Sequence, residues 1–360
     1  MDERAVHDIL SGRRGGVGAA ALRGVLSLSA LPYAAAMRVR RWAYHRGVFA
    51  SRQAGVPVIC VGNLTTGGAG KTPMVAWIVR QLQAAGRNPA ILTRGYKAQA
   101  GVSDEAALLE SLCGVKVIVN ADRVAGAAQA RAGGADVVVM DDGFQHLRLR
   151  RDLDIVLIDA TCPLGYGRCL PRGLLREPPT ALADAAAVII TRADEVTAER
   201  LNELRDLPSK WTAAPVLAAR HRPSHVIDPR GVRQELATLA GRKLYAFCGI
   251  GNPESFFNTL QRAGTQLVGR EALDDHAHYD AALAGAIAAR ATAASAEAAI
   301  TTQKDHIKLA GLTQVLQLWQ LAVEIDFLDE PSSLRELVLC AAGRQGAVAR
   351  GGEAPESHDS

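Results

Sequence analysis

The stretch that decides the fold is VGNLTTGGAGKTPMVAWIVRQLQAAG, residues 61–86. It reads as the end of an apolar strand, a glycine-rich loop, the pair Lys71 and Thr72, and an amphipathic helix ended by Gly86. This order is typical of a P-loop, in which backbone N–H groups and the positive end of a helix bind phosphate oxygens. Lys71 can then reach the β- and γ-phosphates, and Thr72 can bind Mg²⁺. A glycine-rich turn with an accidental Gly-Lys-Thr would not explain the flanking strand and helix.

The predicted phosphate loop departs from the P-loop pattern at one position. The pattern Gly-x-x-x-x-Gly-Lys-Ser/Thr puts glycine at position 65, where this chain has Thr65. The chemistry implies a magnesium nucleoside triphosphate as the ligand. The residues expected to bind the nucleotide are Thr65, Thr66, Gly67, Gly68, Ala69, Gly70, Lys71 and Thr72.

A second apolar segment, ADVVVMDDGFQHLRLRRD at residues 135–152, is typical of a Walker-B strand, whose terminal carboxylate holds Mg²⁺. Asp141 and Asp142 are adjacent, so a strand would point their side chains to opposite sides. The residues alone leave open which of the two binds the metal. Gln145 and His146 follow on the same loop and could contact phosphate or the acceptor.

Short β-branched runs alternate with Ala- and Leu-rich stretches of helical length. Continuous apolar runs suit strands buried on both faces, and their alternation with helices favours a parallel sheet covered on both sides. We therefore predict an α/β fold with a P-loop NTPase-type parallel sheet. The runs are residues 56–63, 89–95, 115–120, 136–143, 154–160, 185–194, 215–221, 243–251 and 298–305, with a late strand at 318–327.

The 360 residues are enough for about two domains. We expect an N-terminal membrane-associated helical segment at 1–50, a P-loop domain at 51–225, a smaller C-terminal α/β domain at 236–342 and a disordered tail at 343–360. Residues 221–235 are predicted to connect the two domains. The Pro-, Gly- and Arg-rich segment 160–180 is predicted to be a functional loop.

Near the N-terminus, the longest uncharged stretch covers residues 24–37 and is followed by Arg38, Arg40, Arg41 and Arg46. Its 14 residues are fewer than the roughly 20 that a membrane-spanning helix needs. Two interpretations stay open. The helix could lie at an anionic membrane surface with its arginines among the headgroups, or it could be an ordinary amphipathic helix packed on the protein body.

The composition narrows the class of protein. Lys and Arg number 41 against 37 Asp and Glu, for a formal net charge of +4, and 48% of residues are hydrophobic. This excludes a disordered chain, a collagen and a coiled coil, and no block of like charges indicates nucleic acid as a partner. The six cysteines form no C-x-x-C pair, which argues against a zinc or redox site and favours a reducing compartment.

Eight motifs occur in order along the chain: VGNLTTGGAGKTP, TRGY, SDE, DDGFQH, LPRGLLRE, CGIGNPESFF, DDHAHY and TQKD. Together they resemble the motifs of the tetraacyldisaccharide 4′-kinase family over about residues 25–330. The resemblance implies ATP- and Mg²⁺-dependent phosphorylation of the 4′-hydroxyl of a lipid A disaccharide 1-phosphate at the cytoplasmic face of the bacterial inner membrane, without an obligate protein partner. In that family a small hydroxyl residue is usual at position 65.

Matched residue by residue, the resemblance implies catalytic roles for Lys71, Asp104, Asp142, His146 and His276. Thr72 and Asp141 are implied as metal ligands, and Gln145, Arg176 and Glu177 as residues of the active-site loops. Asp104 is implied as the base on the acceptor side, paired with His276. A plainer interpretation is that Asp104 caps a helix beginning at Glu105 and that His276 lies on the surface.

Three positions depart from the family pattern. Lys97 and Ser103 stand where glycine is usual, and Gln303 stands where glutamate is usual. The change at 303 weakens any role there that depends on charge, but it does not touch Lys304 or Asp305.

Two other functions compete with a kinase. A P-loop GTPase would read guanine through an Asn-Lys-x-Asp element, and TRAD at residues 191–194 follows a strand but has Thr191 where asparagine is needed. A nucleotide-dependent membrane scaffold would need no acceptor-side base, so the acidic and histidine residues outside the P-loop argue against it.

Overall fold

The computed structural model describes residues 8–95, 104–250, 253–274, 277, 279–309 and 317–343. In chain order the first part comprises α1 (Val17–His45), β1 (Val58–Asn63), α2 (Lys71–Ala84), β2 (Pro89–Thr93), α3 (Asp104–Cys113), β3 (Val117–Val119), α4 (Arg123–Ala132), β4 (Val137–Asp141), β5 (Leu153–Asp159), β6 (Ala187–Thr191) and α5 (Ala198–Asp206). The second part comprises β7 (Val216–Ile227), β8 (Arg233–Gln234), β9 (Lys243–Cys248), α6 (Pro253–Arg262), β10 (Gln266–Ala272), α7 (Ala281–Ala293), β11 (Ala298–Thr302), α8 (Gln303–Lys308), β12 (Leu318–Phe327) and α9 (Ser332–Gly343).

The strands form one 12-stranded sheet in the order β10-β9-β11-β12-β7-β6-β5-β1-β4-β2-β3, with β8 beside β7. Among the described strand pairs, β7 is antiparallel to β12 and to β8, and the other pairs are parallel. The predicted α/β fold with a P-loop type parallel sheet is confirmed. The late strand predicted at 318–327 is β12, with the same bounds.

Strand β1 shows why the sheet is covered on both faces. All six of its residues are buried. Ile59 and Val61 belong to one hydrophobic cluster, while Val58 and Cys60 belong to another. Because successive side chains of a strand point to opposite faces, an unbroken apolar run requires an apolar layer on each side.

The segment predicted to connect two domains is instead largely strand. Residues 221–227 continue β7, a strand of 12 residues. Its first part pairs with β6 at Val216–Ala218, and its later part pairs with β12 from Ala219 to Ile227. A single strand therefore connects the sheet of the P-loop half with that of the second half, because its backbone pairs first with β6 and then with β12.

The predicted C-terminal domain boundary also differs at its end. Helix α9 returns to the first half, where Leu334, Val338 and Ala341 join the same core cluster as Met74 and Ile78 of α2. The apolar residues of α9 repeat at helical spacing, so this face needs an apolar partner, and α2 supplies it. Of the tail predicted as disordered, Gly343 ends α9 and residues 344–360 lie outside the described residues.

Helix α1 runs for 29 residues through Pro32. By length and composition alone it could cross a membrane. The sequence-based prediction considered only the 14-residue uncharged stretch at 24–37, and the helix is much longer than that stretch. Ala30 and Arg41 lie on the face that is buried against the protein, and Ala43 is buried on another side of the helix. The opposite face leaves large apolar side chains exposed, namely Val25, Leu28, Leu31, Val39 and Trp42.

Candidate active site

The glycine-rich loop between β1 and α2 has open space over its middle part. Gly67 and Gly70 have φ values of +112° and +81°, which residues with a Cβ rarely adopt. A Cβ on Gly67 or Gly68 would meet no heavy atom within 4 Å, so space lies over this part of the loop. Gly70 directly precedes the 14-residue helix α2. Loop amides and a helix N-terminus therefore converge, which is the geometry that a polyphosphate needs.

The Pro- and Gly-rich loop at 160–180 forms backbone hydrogen bonds with the phosphate loop. The Thr66 N–H donates to the carbonyl of Leu174 at 2.8 Å, and the Arg176 N–H donates to the carbonyl of Leu64 at 2.7 Å. This backbone pairing fixes the first half of the phosphate loop and places Arg176 beside it.

Lys71 and Asp142 meet at the mouth of the phosphate loop. The Lys71 Nζ lies 3.4 Å from Asp142 Oδ1 and 3.4 Å from Asn63 Oδ1. Arg176 Nη1 lies 2.9 Å from both carboxylate oxygens of Asp142. Burial would raise the pKa of Asp142, but the charges of Lys71 and Arg176 outweigh burial and hold the pKa below its ordinary value. Asp142 is therefore ionised and lies between two cations.

Asp141 has a different environment, although it is the next residue along the chain. It ends β4, is 1% exposed, and its Oδ1 has no hydrogen-bond partner in the described part of the chain. Burial first, and then the charge of Glu105, raises the pKa of Asp141 to about 7. Asp142 turns away with a positive φ of 50°. The prediction that the two side chains point to different sides agrees with these contacts.

The donor set suits Mg²⁺ in the way P-loop proteins use it. The unpartnered Oδ1 of Asp141 is a hard oxygen ligand with no competing donor. The described residues contain no group of three or more His, Cys, Asp or Glu that could hold a metal ion. A bound Mg²⁺ would therefore take most of its ligands from phosphate and water, as this ion prefers.

The DDGFQH loop is tied to β1 and to helix α1. Gln145 Nε2 donates to the Asn63 carbonyl at 2.9 Å, and Arg40 Nη2 donates to the Gln145 carbonyl at 3.0 Å. Glu177 is 1% exposed and forms a salt bridge with Arg41. Arg176, Glu177 and Gln145, which sequence matching assigned to active-site loops, therefore lie in one connected network with Asp142.

His146 lies at the far end of that loop. Burial first, and then the charge of Arg123, lowers the pKa of His146 to about 4, so its imidazole is neutral at pH 7. Its Nε2 is buried without a hydrogen-bond partner among the described residues. The other charged groups near it are Arg40, Asp122 and Arg151, rather than Lys71 or Asp142.

Of the two residues that the resemblance implies on the acceptor side, Asp104 and His276, the structure describes Asp104. Asp104 is the exposed first residue of α3, and neighbouring Glu105 is close enough to raise the pKa of Asp141. Helix α3 packs against α8, which follows β11 in the second half. His276 and Ser103 lie outside the described residues, so their contacts with Asp104 are not described.

Three motifs of the second half meet around Asp305. This residue is fully buried, and its Oδ2 accepts hydrogen bonds from Gly249 N at 2.9 Å and Thr302 Oγ1 at 2.8 Å. A Cβ on Gly249 would lie 3.1 Å from the Asp274 carbonyl oxygen. The CGIG, DDHAHY and TQKD segments therefore meet where the parallel strands β9, β10 and β11 end, which is the usual edge for ligands in such sheets.

Sequence reasoning missed several residues of the site. Asn63 is fully buried and contacts Lys71, yet its only signal was its place at the end of an apolar strand. Arg41 was read as one of several basic residues near a membrane, but it is 8% exposed. Arg123 is 3% exposed and donates to the Asp141 carbonyl at 3.3 Å. No local pattern marks Arg41 or Arg123, because their partners are distant in the chain.

Comparison with known proteins gives a consistent result. The family model described as tetraacyldisaccharide-1-P 4′-kinase (LpxK) matches residues 22–342. A tetraacyldisaccharide 4′-kinase of Geobacter metallireducens is 39% identical over 338 residues, covering 87% of this chain and 96% of that protein. One of Anaeromyxobacter dehalogenans is 38% identical over 306 residues, covering 79% of this chain and 80% of that protein.

A solved structure agrees with this chain in fold over nearly its whole length. It is LpxK from Aquifex aeolicus in complex with ATP, and it is 26% identical with a TM-score of 0.72. The match covers 89% of this chain and 99% of that one.

Proposed function

Since the chain belongs to the tetraacyldisaccharide 4′-kinase family, we propose that the network around Lys71 and Asp142 is its phosphoryl-transfer site. The chain is an ATP-dependent kinase of lipid A biosynthesis. It transfers the γ-phosphate of ATP to the 4′-hydroxyl of a tetraacylated disaccharide 1-phosphate, which gives the 4′-phosphorylated precursor, lipid IVA. The observation that carries the site assignment is the 3.4 Å contact between Lys71 Nζ and Asp142 Oδ1 beside the open phosphate loop.

The phosphate loop, Thr65 to Thr72, holds the triphosphate of ATP through backbone N–H groups and the N-terminus of α2. Lys71 is released from Asp142 to meet the γ-phosphate, where negative charge accumulates in transfer. Asp142 then keeps the cation Arg176 at 2.9 Å, which retains positive charge next to the transferred group.

Thr72 and Asp141 would hold Mg²⁺, which is proposed from the donor set and the family. When bound, the ion neutralises charge on the β- and γ-phosphate oxygens. The carboxylate of Asp141 is suited to this because Oδ1 is unpartnered and buried. Arg123, which binds the Asp141 carbonyl, keeps the end of β4 in place.

The acceptor hydroxyl loses its proton to a base formed by Asp104 and His276. Support comes from topology: α3, which begins at Asp104, packs against α8. Asp274, at the start of the DDHAHY segment, lies beside Gly249, which is hydrogen-bonded to Asp305 of α8. In this proposal Asp104 accepts the proton of the attacking oxygen, and His276 pairs with the carboxylate. Gln145, whose Oε1 lies 3.5 Å from Arg176 Nη1, contributes to the phosphate side of the site. The catalytic role implied for His146 rests on the resemblance alone.

The two halves act as separate lobes in this proposal. The P-loop half, at about 51–225 with α9 added, binds ATP, and the half built on β9 to β12 supplies the acceptor side. Movement of one lobe toward the other would bring His276 to the acceptor only when both substrates are present.

We propose that helix α1 attaches the protein to the cytoplasmic face of the inner membrane, and the exposed apolar face of the helix supports this proposal. Leu28, Leu31 and Val39 are 71%, 63% and 62% exposed on the face opposite the protein body. Arg38 and Arg46 lie at the same end of the helix and suit anionic headgroups. The inner face of α1 is occupied by contacts with the protein, so we propose a helix that lies in the interface rather than across the bilayer.

A P-loop GTPase would use the TRAD segment, residues 191–194, to bind guanine. Thr191, the first residue of the TRAD segment, donates its hydroxyl to the Ala69 carbonyl at 3.0 Å, and Arg192 forms a salt bridge with Asp159. These contacts occupy the segment that a GTPase would use to read guanine.

The test is transfer of labelled γ-phosphate to a tetraacylated disaccharide 1-phosphate in detergent micelles. We expect transfer from ATP with Mg²⁺, much less transfer from GTP, and transfer at least about 100-fold slower with Lys71→Ala. A protein that hydrolyses nucleotide without labelling the lipid would contradict the site assignment.

A further inference from the structure

The inner face of helix α1 contacts both loops that hold Asp142 and Arg176. Tyr33 Oη donates to the Arg176 carbonyl at 2.9 Å. Arg40 Nη2 donates to the Gln145 carbonyl at 3.0 Å. Tyr33 and Arg40 are seven residues apart, so they lie on the same side of the helix, away from the exposed apolar face. One helix thus touches lipid-facing space on one side and active-site loops on the other.

Arg41 is the most buried of these contacts. It is 8% exposed, and its two terminal nitrogens pair with Glu177 and Asp184. Its guanidinium carbon lies 4.7 Å from the centre of the Phe144 ring, and Nη2 lies 3.4 Å from the Phe144 carbonyl oxygen. A planar guanidinium can make two ion pairs and stack on an aromatic ring at once, and lysine cannot.

These contacts close a ring around the catalytic carboxylate. Asp142 pairs with Arg176, Arg176 is bonded in sequence to Glu177, and Glu177 pairs with Arg41. Arg41 in turn covers Phe144, two residues after Asp142. A buried ion pair adds little net stability compared with apolar packing, but it fixes geometry strongly. The ring therefore sets the relative position of the DDGFQH loop and the Arg176–Glu177 loop.

We propose that Arg41 is a positioning residue through which the membrane-facing helix holds these two loops in the geometry for phosphoryl transfer. The proposal rests on the site assignment above. Helix α1 then has a second function besides attachment. A displacement of the helix moves Asp142 and Arg176, because the contacts of Arg41 and Tyr33 connect the helix to both loops. A misplacement of about 1 Å at reacting groups is enough to lower a rate about 100-fold.

The test compares variants in detergent micelles, where attachment to a bilayer plays no part. Arg41→Gln should lower kcat at least tenfold, with KM for ATP and for the lipid changed less than threefold. Arg41→Lys keeps the charge but loses the ion pair with one of the two carboxylates and the stacking on the Phe144 ring. Its kcat should therefore lie between those of wild type and Arg41→Gln. Asp184→Asn removes the charge of one of the two carboxylates that pair with Arg41. It should lower kcat as well, but by less than Arg41→Gln does. Arg262→Gln makes the same change of net charge at an exposed position, the last residue of α6, and should stay within twofold of wild type.

A second readout separates positioning from simple loss of folded protein. The Mg²⁺ concentration that gives half the maximal rate should rise severalfold in Arg41→Gln, and a smaller folded fraction would not change this value. ATP-binding titration gives the active fraction for each variant, and Arg41→Lys and Asp184→Asn serve if Arg41→Gln does not fold. Near-normal kcat per active site in folded Arg41 variants, with wild type active, would overturn the proposal. Absence of lipid phosphorylation by wild type would overturn the function instead.

Discussion

Lys71 and Asp142 are paired, with Nζ 3.4 Å from Oδ1. This contact holds the P-loop lysine at the mouth of the phosphate loop. Arg176 also pairs with the Asp142 carboxylate. When Lys71 moves away from Asp142, this partly buried carboxylate therefore still has a cationic partner. The pair places the cation close to the position where the γ-phosphate is needed.

Replacement of Lys71 tests this relationship. Lys71→Ala should lower kcat by about 100-fold or more, since it removes a cation that stabilises developing charge. The thermal midpoint should change little, because Asp142 keeps Arg176. Lys116→Ala, at an exposed position, is the matched control and should be as active as wild type. Near-normal turnover of a folded Lys71→Ala protein would contradict the assignment of residues 65–72 as a P-loop.

Replacement of Asp141 should affect activity and stability in opposite directions. Asp141→Asn removes a buried carboxylate whose Oδ1 is unpartnered, so the metal-free protein should be as stable as wild type or more stable. The same change should raise the Mg²⁺ requirement at least tenfold. Thermal unfolding without metal and a Mg²⁺ titration of the rate measure the two effects. Asp206→Asn at an exposed site is the control, and an unchanged Mg²⁺ requirement in Asp141→Asn would contradict the ligand assignment.

The exposed face of α1 should control attachment. A variant with Leu28→Ser, Leu31→Ser and Val39→Ser loses apolar area worth about 1 kcal/mol or more per side chain when buried in lipid. Binding to phosphatidylethanolamine–phosphatidylglycerol vesicles should fall at least tenfold, with kcat in micelles unchanged. High salt should weaken wild-type binding without abolishing it, because only the charge contribution is screened.

A matched triple variant elsewhere on the surface serves as the control for attachment. Val119, Val232 and Leu328 are 42%, 51% and 44% exposed, far from α1 in the chain. Their replacement by serine should leave vesicle binding as in wild type. Equal losses in both triple variants would mean that the effect is not specific to α1.

Asp104 and His276 should behave as one unit. Asp104→Ala and His276→Ala should each lower kcat more than they raise KM for ATP. The double variant should lose little beyond the worse single variant, because groups that act together are non-additive. Strictly additive losses, or losses confined to KM for ATP, would leave Asp104 as a helix cap and His276 as a bystander.

His221 should make stability depend on pH below neutrality. It packs against the phosphate loop at Gly70, and burial first, then the charge of Arg192, lowers its pKa to about 4. Between the ordinary pKa of about 6.5 and the folded value, the unfolded chain binds a proton that the folded chain does not. Stability should therefore fall as pH drops from about 6.5 towards 4, and it should be fully present above that range.

The measurement is the thermal midpoint of wild type and His221→Gln at several pH values from 7 to 4.5. The variant should show a shallower decline. His146→Gln removes a second histidine whose pKa is lowered to about 4 and should flatten the curve independently. Parallel curves for wild type and His221→Gln would contradict the lowered pKa, because they would mean that His221 binds its proton equally well in the folded and unfolded chain.

The linear sequence determined the features that depend on neighbours in the chain. The glycine-rich loop, Lys71, Thr72 and the strand–helix alternation follow from local patterns, because phosphate binding needs special backbone angles next to a helix N-terminus and a doubly covered strand needs a continuous apolar run. The adjacency of Asp141 and Asp142 likewise predicted that their side chains would diverge.

Only the tertiary structure decided what depends on distant contacts. The different environments of Asp141 and Asp142 come from Glu105, Lys71 and Arg176, which are brought together by the fold. Strand β7 continues through the expected connector because β12 pairs with it from about 100 residues away in sequence. Arg41 looks like one more surface arginine until Glu177, Asp184 and Phe144 surround it. Burial and pairing set the charge state and position of these groups, and both are properties of packing between segments that no local pattern encodes.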